Sequence, residues 1–445
     1  MISLLEKKAR SENFQESEIA EFIQKLCKKE IPDYQASAWL MACFINGLNP
    51  EETFYLTQSI KNSGLTRDWK NLSSKLKSRT FSDKHSTGGI GDKVSLILAP
   101  LAAATGLTVP MMSGRGLGHT GGTIDKLESI PGFNVYPDLD LQIKCLEENN
   151  ICMMAQSADL CPADKILYSL RDVTGTVANK SLITASIVSK KWAEGISSIV
   201  FDVKCGQAAF MTDYKKAKEL AESLCAVSTK AGLTAKASIT QMDAALGSKI
   251  GHSLEVLECV QILKNEFQSE QEKNISSLLT DLCIHLTAQM LIASGLQTTM
   301  ASARQSCISA LDSGRAYECF QKMLSLQGAD SDWEKMFNKK VNKKTITSTQ
   351  SGYLKKMNSR IFGELSPTLK MGRNTLEDKL TLENGIDIHV IEGQRIKYGD
   401  ELFTVHYNDN TELPNSFFKT LLEKGFTFSS QEQKPKNTLI IEEIS

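Results

Sequence analysis

A chain of 445 residues exceeds what one hydrophobic core fills, so two or three domains are expected. Its 41% apolar and 23% charged residues are those of an ordinary globular protein, which excludes a fibrous or disordered chain. Lys plus Arg number 51 against 52 for Asp plus Glu, and the net charge of −1 excludes a long-range field for nucleic acid or an anionic membrane. An anionic ligand must therefore be held by a local cluster of cations and amides. The N-terminal stretch MISLLEKKARSENF lacks the apolar run of a signal peptide, and no segment approaches ~18 consecutive apolar residues, so no membrane span is expected. Eleven cysteines stand singly with no CxxC pair, which reads as buried thiols in a reducing compartment and a cytoplasmic address, without disulfide framework or zinc site.

The first stretch, residues 1–70, reads as small amphipathic helices. Ile19, Phe22, Ile23 and Leu26 repeat with helical period behind Ser17; a second helix opens at Pro32 and Asp33 and ends at Gly47; a third follows Pro50 and stops at Gly64. Over 75–158 the pattern changes to short apolar runs, Thr108 to Met112 and Ile151 to Ala155, separated by a helix over Leu139 to Asn149. Residues 159–195 carry back-to-back helical patterns that return the chain to the helical domain. From 196 to 335 strands resume at Ile199 to Val203 and Leu233 to Ile239, flanking a helix over Tyr214 to Ala231, before helices take over from 253 to 327. Residues 345–445 are short and β-rich and read as a C-terminal α+β domain, with a polar, loose stretch over Ser429 to Asn437. The fold class is thus a discontinuous all-helical domain against a large α/β domain with a mostly parallel sheet, plus a C-terminal α+β subdomain.

Two glycine segments carry chemistry. In Asp83-Lys84-His85-Ser86-Thr87-Gly88-Gly89-Ile90-Gly91-Asp92-Lys93-Val94-Ser95, closely spaced glycines permit a tight path with exposed amides, and the apolar run Leu96 to Ala104 makes a helix whose N-terminus suits an anion. Lys84 adds a positive charge, and Ser86 and Ser95 add neutral donors. The second segment runs Ser113-Gly114-Arg115-Gly116-Leu117-Gly118-His119-Thr120-Gly121-Gly122-Thr123-Ile124-Asp125-Lys126-Leu127-Glu128, again from strand into helix. Two such loops at consecutive strand ends would face one crevice, with Ser113 and Thr123 as further hydroxyl donors. Neither is GxxxxGK[ST], so a small dianion fits better than a P-loop nucleotide.

The segment SGRGLGHTGGTIDKLE resembles the signature of the thymidine and pyrimidine-nucleoside phosphorylases, and KHSTGGIGD resembles their phosphate loop. The likeness continues in register through LTQSIKNSG, PADKILYSLRDVT, SLITASIVSKK and FDVKCGQAAFM. It implies phosphate contacts at Lys84, Ser86, Ser95, Ser113 and Thr123, and base contacts at His85, Arg171, Ser186 and Lys190. Leu117, Ile183 and Phe210 match the apolar pocket around the pyrimidine C5 position. The resemblance also implies a homodimer with a cleft that closes between its domains, small-molecule substrates (a pyrimidine nucleoside and inorganic phosphate as co-substrate), and catalysis by His85, Arg171 and Lys190. Independently, Ser186 and Lys190 are four apart on a helical pattern and share a face. His119 reads as loop support, Asp92, Asp125 and Glu128 as bracing groups, and the remaining histidines as structural.

The sequence also departs from the family. Gly175 stands in a helical pattern where Ala is usual, and bulky Gln207 replaces a smaller turn residue near Phe210, where it would crowd the pocket. Some relatives bind potassium near positions matching Gly91, Lys93, Leu246, Lys249 and Glu258; Lys93 brings an ammonium there that would repel or replace the ion, so neither a metal nor a cofactor is expected. Met111, where broad-specificity relatives carry Lys, favours thymidine over uridine. Two rivals are an anthranilate phosphoribosyltransferase, which shares the architecture but would need other motifs, and a catalytically weak binding dimer.

Overall fold

The computed structural model describes residues 1–116, 121–157, 159–373, 378–434 and 437–444. Four helices open the chain: α1 (Ile2–Ala9), α2 (Glu16–Cys27), α3 (Asp33–Asn46) and α4 (Pro50–Asn62). Asn49 caps α4 through the Glu52 amide, and the Glu52 carboxylate returns to the Asn49 amide, so the capping box fixes where this helix begins. Gly47 ends α3 at φ 70°, a value that costs glycine little. Phe22 stacks on Trp39 at 4.3 Å in the core these helices share.

After α5 (Trp69–Leu72) come β1 (Ser82–Ser86), α6 (Val94–Ala104), β2 (Val109–Ser113), α7 (Thr123–Leu127), α8 (Leu139–Asn149) and β3 (Ile151–Ala155). Helices α9 (Pro162–Thr174) and α10 (Lys180–Ala193) rejoin the N-terminal bundle, where α10 packs on α4 and α9 on α3. Then follow β4 (Ser198–Cys205), α11 (Tyr214–Lys230), β5 (Thr234–Gln241), β6 (Lys249–Ile250), α12 (His252–Lys264), α13 (Glu270–Ala293), α14 (Met300–Asp312) and α15 (Arg315–Leu326).

Strands β1, β4 and β5 pair in parallel, β2 pairs with β3 in parallel, and a Phe81–Thr108 bridge sets β2 beside β1. Both faces are covered, as a parallel sheet requires. Helix α6 is apolar all round and its residues 96–102 are fully enclosed. Helix α13 is long and apolar enough to cross a membrane by length alone, but 72% of its apolar window is buried inside the protein, so it is a core helix.

The C-terminal region builds two antiparallel sheets. They contain β7 (Asn342–Thr347), β8 (Gly352–Met357), β9 (Gly385–Ile388), β10 (Arg395–Ile396), β11 (Glu401–Tyr407) and β12 (Phe426–Ser429), with helices α16 (Arg360–Glu364) and α17 (Asn415–Gly425). One boundary differs from the sequence reading of a self-contained 345–445 unit. Strand β6 of the α/β half pairs with β9, and the last strand, β13 (Ile440–Ile444), leaves the C-terminal domain to pair antiparallel with β5. The reason is edge protection: without β13 the outer strand β5 would present unpaired backbone groups. Gly175 is likewise not inside a helix; at φ 67° it is the residue that ends α9, so it does not loosen that helix.

Candidate active site

Lys84, His85 and Ser86 lie on β1 rather than in the loop the sequence suggested, and strand alternation sorts them. Lys84 and Ser86 stand in register with Val200 and Asp202 of β4, on one face. Asp83 and His85 take the opposite face, where the Lys191 ammonium of α10 meets the Asp83 carboxylate at 2.5 Å. One strand thus serves both lobes.

On the α/β side, Lys84 is buried, lies 3.6 Å from Asp202, and its ammonium makes no hydrogen bond among the described residues. Asp202 is already engaged: Lys204 approaches it at 2.7 Å and Thr240 donates to it at 2.6 Å. The Lys84 charge is therefore incompletely satisfied and available to an anion. Ser86 donates to Asp92 at 2.5 Å and accepts from the Gly88 amide at 3.1 Å. Burial opposes the Asp92 charge, yet Lys84 and then Lys204 hold its carboxyl well below the usual carboxylate range. Ser95 sits in the first turn of α6, Ser113 ends β2, and Thr123 begins α7; each is partly exposed. Lys126 ties the two glycine segments together, donating to the Asp92 carbonyl at 2.7 Å and the Gly121 carbonyl at 3.2 Å.

The second segment is braced from outside. Asp125 accepts from the Gly116 amide, from Arg115, and from Arg373 of the C-terminal domain at 2.9 Å, while Glu128 takes Arg115 in a fork at 2.6 Å. Leu117 and His119, the remaining expectations on this segment, lie outside the described residues.

On the helical side, Lys190 of α10 donates to Asp164 of α9 at 2.5 Å and to Ser186 at 2.9 Å. Two of its three protons are used, and Ser186, an acceptor here, keeps its own hydroxyl proton for a ligand. Arg171 lies in the last turn of α9. Its guanidinium donates to the carbonyls of Thr176, Leu182 and Val177 at 3.3, 3.2 and 2.7 Å. Three of five N–H donors are thereby spent, leaving two. Lys191, next along α10, is buried against Asp83, Glu194 and the Met112 carbonyl, and so pins α10 to β1 and β2.

His85 joins the two sides. The ring is half-buried, and desolvation followed by Lys191, Lys190 and Lys84 pushes its pKa well below the ordinary histidine value. Ammonium groups from both lobes therefore act on one imidazole, and it is neutral at physiological pH. Ile183 is partly buried and Phe210 exposed. The turn bearing Phe210 bridges Gly89 through Ala209, so this turn abuts the first glycine loop. Gln207 is exposed, its backbone N–H donating to Asp243, while Ala208 and Ala209 fill the buried positions; the expected crowding does not arise from the packed side of this turn. Sequence reasoning missed Lys126, Asp164, Asp202 and Lys204. The last two carried a signal: charges two apart in the apolar strand Ser198–Cys205 share a face and need partners.

Comparison with known proteins agrees with this architecture. A family model described as glycosyl transferase family, a/b domain, matches residues 78–317, and one described as glycosyl transferase family, helical bundle domain, matches residues 2–64. Fold and site together define a glycosyl transferase of this two-domain type. A solved anthranilate phosphoribosyltransferase from Thermus thermophilus shares the fold (TM-score 0.56, 17% identity, covering 73% of this chain and 99% of that one). A pyrimidine nucleoside phosphorylase C-terminal domain model matches residues 353–421. Curated relatives named pyrimidine-nucleoside phosphorylase are 39% identical: that of Staphylococcus epidermidis over 98% of both chains, and that of Staphylococcus aureus over 92% of both. The chain belongs to the pyrimidine-nucleoside phosphorylase family.

Proposed function

We propose that this protein is a thymidine phosphorylase, a pentosyltransferase that reversibly converts thymidine or deoxyuridine and phosphate to the free base and 2-deoxy-α-D-ribose 1-phosphate. The observation that carries this reading is a set of incompletely used cations on both sides of the site: the Lys84 ammonium, 3.6 Å from Asp202 and without a hydrogen bond among the described residues, and Lys190 with Ser186 and Arg171 on α9 and α10. Phosphate bound at Lys84, Ser86, Ser95, Ser113 and Thr123 attacks C1′ from the face opposite the base. As the glycosidic bond stretches, the sugar gains oxocarbenium character and the base gains negative charge. The two free N–H groups of Arg171 and the third proton of Lys190 serve the site where that charge develops, and Ser186 orients the ring; such preorganised donors are usually the largest catalytic contribution. Neutral His85 offers a hydrogen bond to the departing base rather than an imidazolium proton. Closing the cleft expels water, favouring phosphorolysis over hydrolysis.

Preference for deoxyribose rests on the family resemblance at Met111, where broad-specificity relatives carry Lys; the apolar side chain, packed in the α/β core, supplies no polar partner to a ribose hydroxyl. The assembly proposed is a homodimer in the cytoplasm. The test is incubation of purified protein with thymidine and phosphate, reading thymine release, alongside uridine. Faster turnover of uridine would replace this reading by a broad-specificity phosphorylase; no product from either nucleoside would favour a catalytically weak binding dimer.

A further inference from the structure

The family resemblance raises potassium at Gly91, Lys93, Leu246, Lys249 and Glu258, and the oxygen atoms there are already committed. The Lys93 ammonium donates to the Leu246 carbonyl at 2.6 Å, to the Lys249 carbonyl at 2.7 Å and to Glu258 Oε2 at 2.7 Å. All three ammonium protons are used, and both charged side chains are fully buried. Glu258 is held from its other sides by the Ser248 amide at 2.7 Å, the Ser276 hydroxyl at 2.6 Å and the Lys249 amide at 3.1 Å. A potassium ion does not fit here, because the ammonium stands where the ion would need these oxygens.

The backbone is shaped around that ammonium. Gly247, at φ 73°, has no room for a Cβ, which would collide with Glu258 Oε1. Gly91, at φ 71°, would press a Cβ to 3.1 Å from the carbonyl oxygen of Leu246. Lys93 is also the residue immediately before α6, between Asp92, which holds Ser86, and Ser95. Its three bonds join the first glycine loop to a segment more than 150 positions away. Burial alone would lower the lysine pKa, but Glu258 and then Glu255 outweigh it, so the group stays charged.

We propose that Lys93 is a built-in monovalent cation, whose ammonium fixes the first glycine loop and makes the protein independent of added potassium. The inference uses the proposed activity for one readout and stability for another, so the two fail separately. For the wild-type protein, exchange from potassium to tetramethylammonium at constant ionic strength is expected to leave both the melting temperature and the rate of thymine release unchanged. Lys93→Ser opens a hole lined by two carbonyls and a carboxylate. Its melting temperature is expected to rise with potassium chloride and not with tetramethylammonium chloride, and its kcat/KM to fall about 10- to 100-fold without potassium and recover with it. A wild-type protein that loses melting temperature on leaving potassium overturns the proposal, as does a Lys93→Ser protein that melts identically in both salts. If Lys93→Ser folds in neither salt, the wild-type melting comparison decides alone. If stability behaves as expected and no nucleoside is turned over, the built-in cation stands and the functional reading falls.

Discussion

The helical and α/β faces of the candidate site are built differently. On the helical face the chemistry is assembled from near neighbours: Ser186 and Lys190 lie one turn apart on α10, and Arg171 binds carbonyls five to eleven positions on. Each of these side chains keeps unused donors. On the α/β face the charges are assembled from far apart and are largely consumed: Lys126 reaches Asp92, Lys93 reaches Glu258, and Lys204 occupies the carboxylate that Lys84 would otherwise take. On the proposed reading, a face that grips a base in varying states of charge keeps free N–H groups. The proposed phosphate face spends most of its charges on its own loops, and Lys84 and Lys204 share Asp202 there, neither ammonium making a hydrogen bond among the described residues.

The largest expected effect tests the helical face. Lys190→Ala and Arg171→Ala should each cost about 10²–10³ in kcat. Arg171→Ala should also lower the melting temperature, since three carbonyls lose their donor, whereas Lys190→Ala should lower it less. Wild-type rates in either variant would break the assignment of this face. On the other face, Lys204→Met should free Asp202 to capture Lys84. Steady-state kinetics should then show the KM for phosphate rising more than that for nucleoside, with a stability loss of about 3 kcal/mol by denaturant melts. Equal effects on both KM values would mean that Lys204 only supports the fold.

Two smaller effects follow from titration. His85 has its pKa depressed by burial and by cations from both faces, so it stays neutral as pH falls through 6.5. The pH profile of kcat/KM should therefore show no acid limb near 6.5 in the wild type that His85→Gln removes; such a limb would place a titrating imidazolium in the reaction. Away from the cleft, burial and then Lys343 push the His406 pKa down to about 4. Between the ordinary value of 6.5 and about 4 the unfolded chain binds the extra proton, so stability is full at pH 7 and falls as pH drops through this window. At pH 5 the loss is about 2 kcal/mol, and His406→Asn should remove that part of the pH dependence in thermal melts.

Local patterning was enough for the elements named below and for the residue types of the candidate site. The helix over Leu139–Asn149 and the strand over Ile151–Ala155 were legible because their periodicity and turn residues are local, and the serine and lysine of α10 were legible because one helical turn spans them. What those residues are bonded to was settled by packing. Lys84 and His85 read as loop residues until β4 supplied a strand partner, and the carbonyl partners of Arg171 appear only when the chain after α9 folds back on it. The exchange of β13 into the α/β sheet depends on an edge about 200 positions away. Buried charges have no preferred sequence separation: any carboxylate or carbonyl that the fold brings within hydrogen-bond reach will satisfy them, and which one it is emerges only when the layers pack.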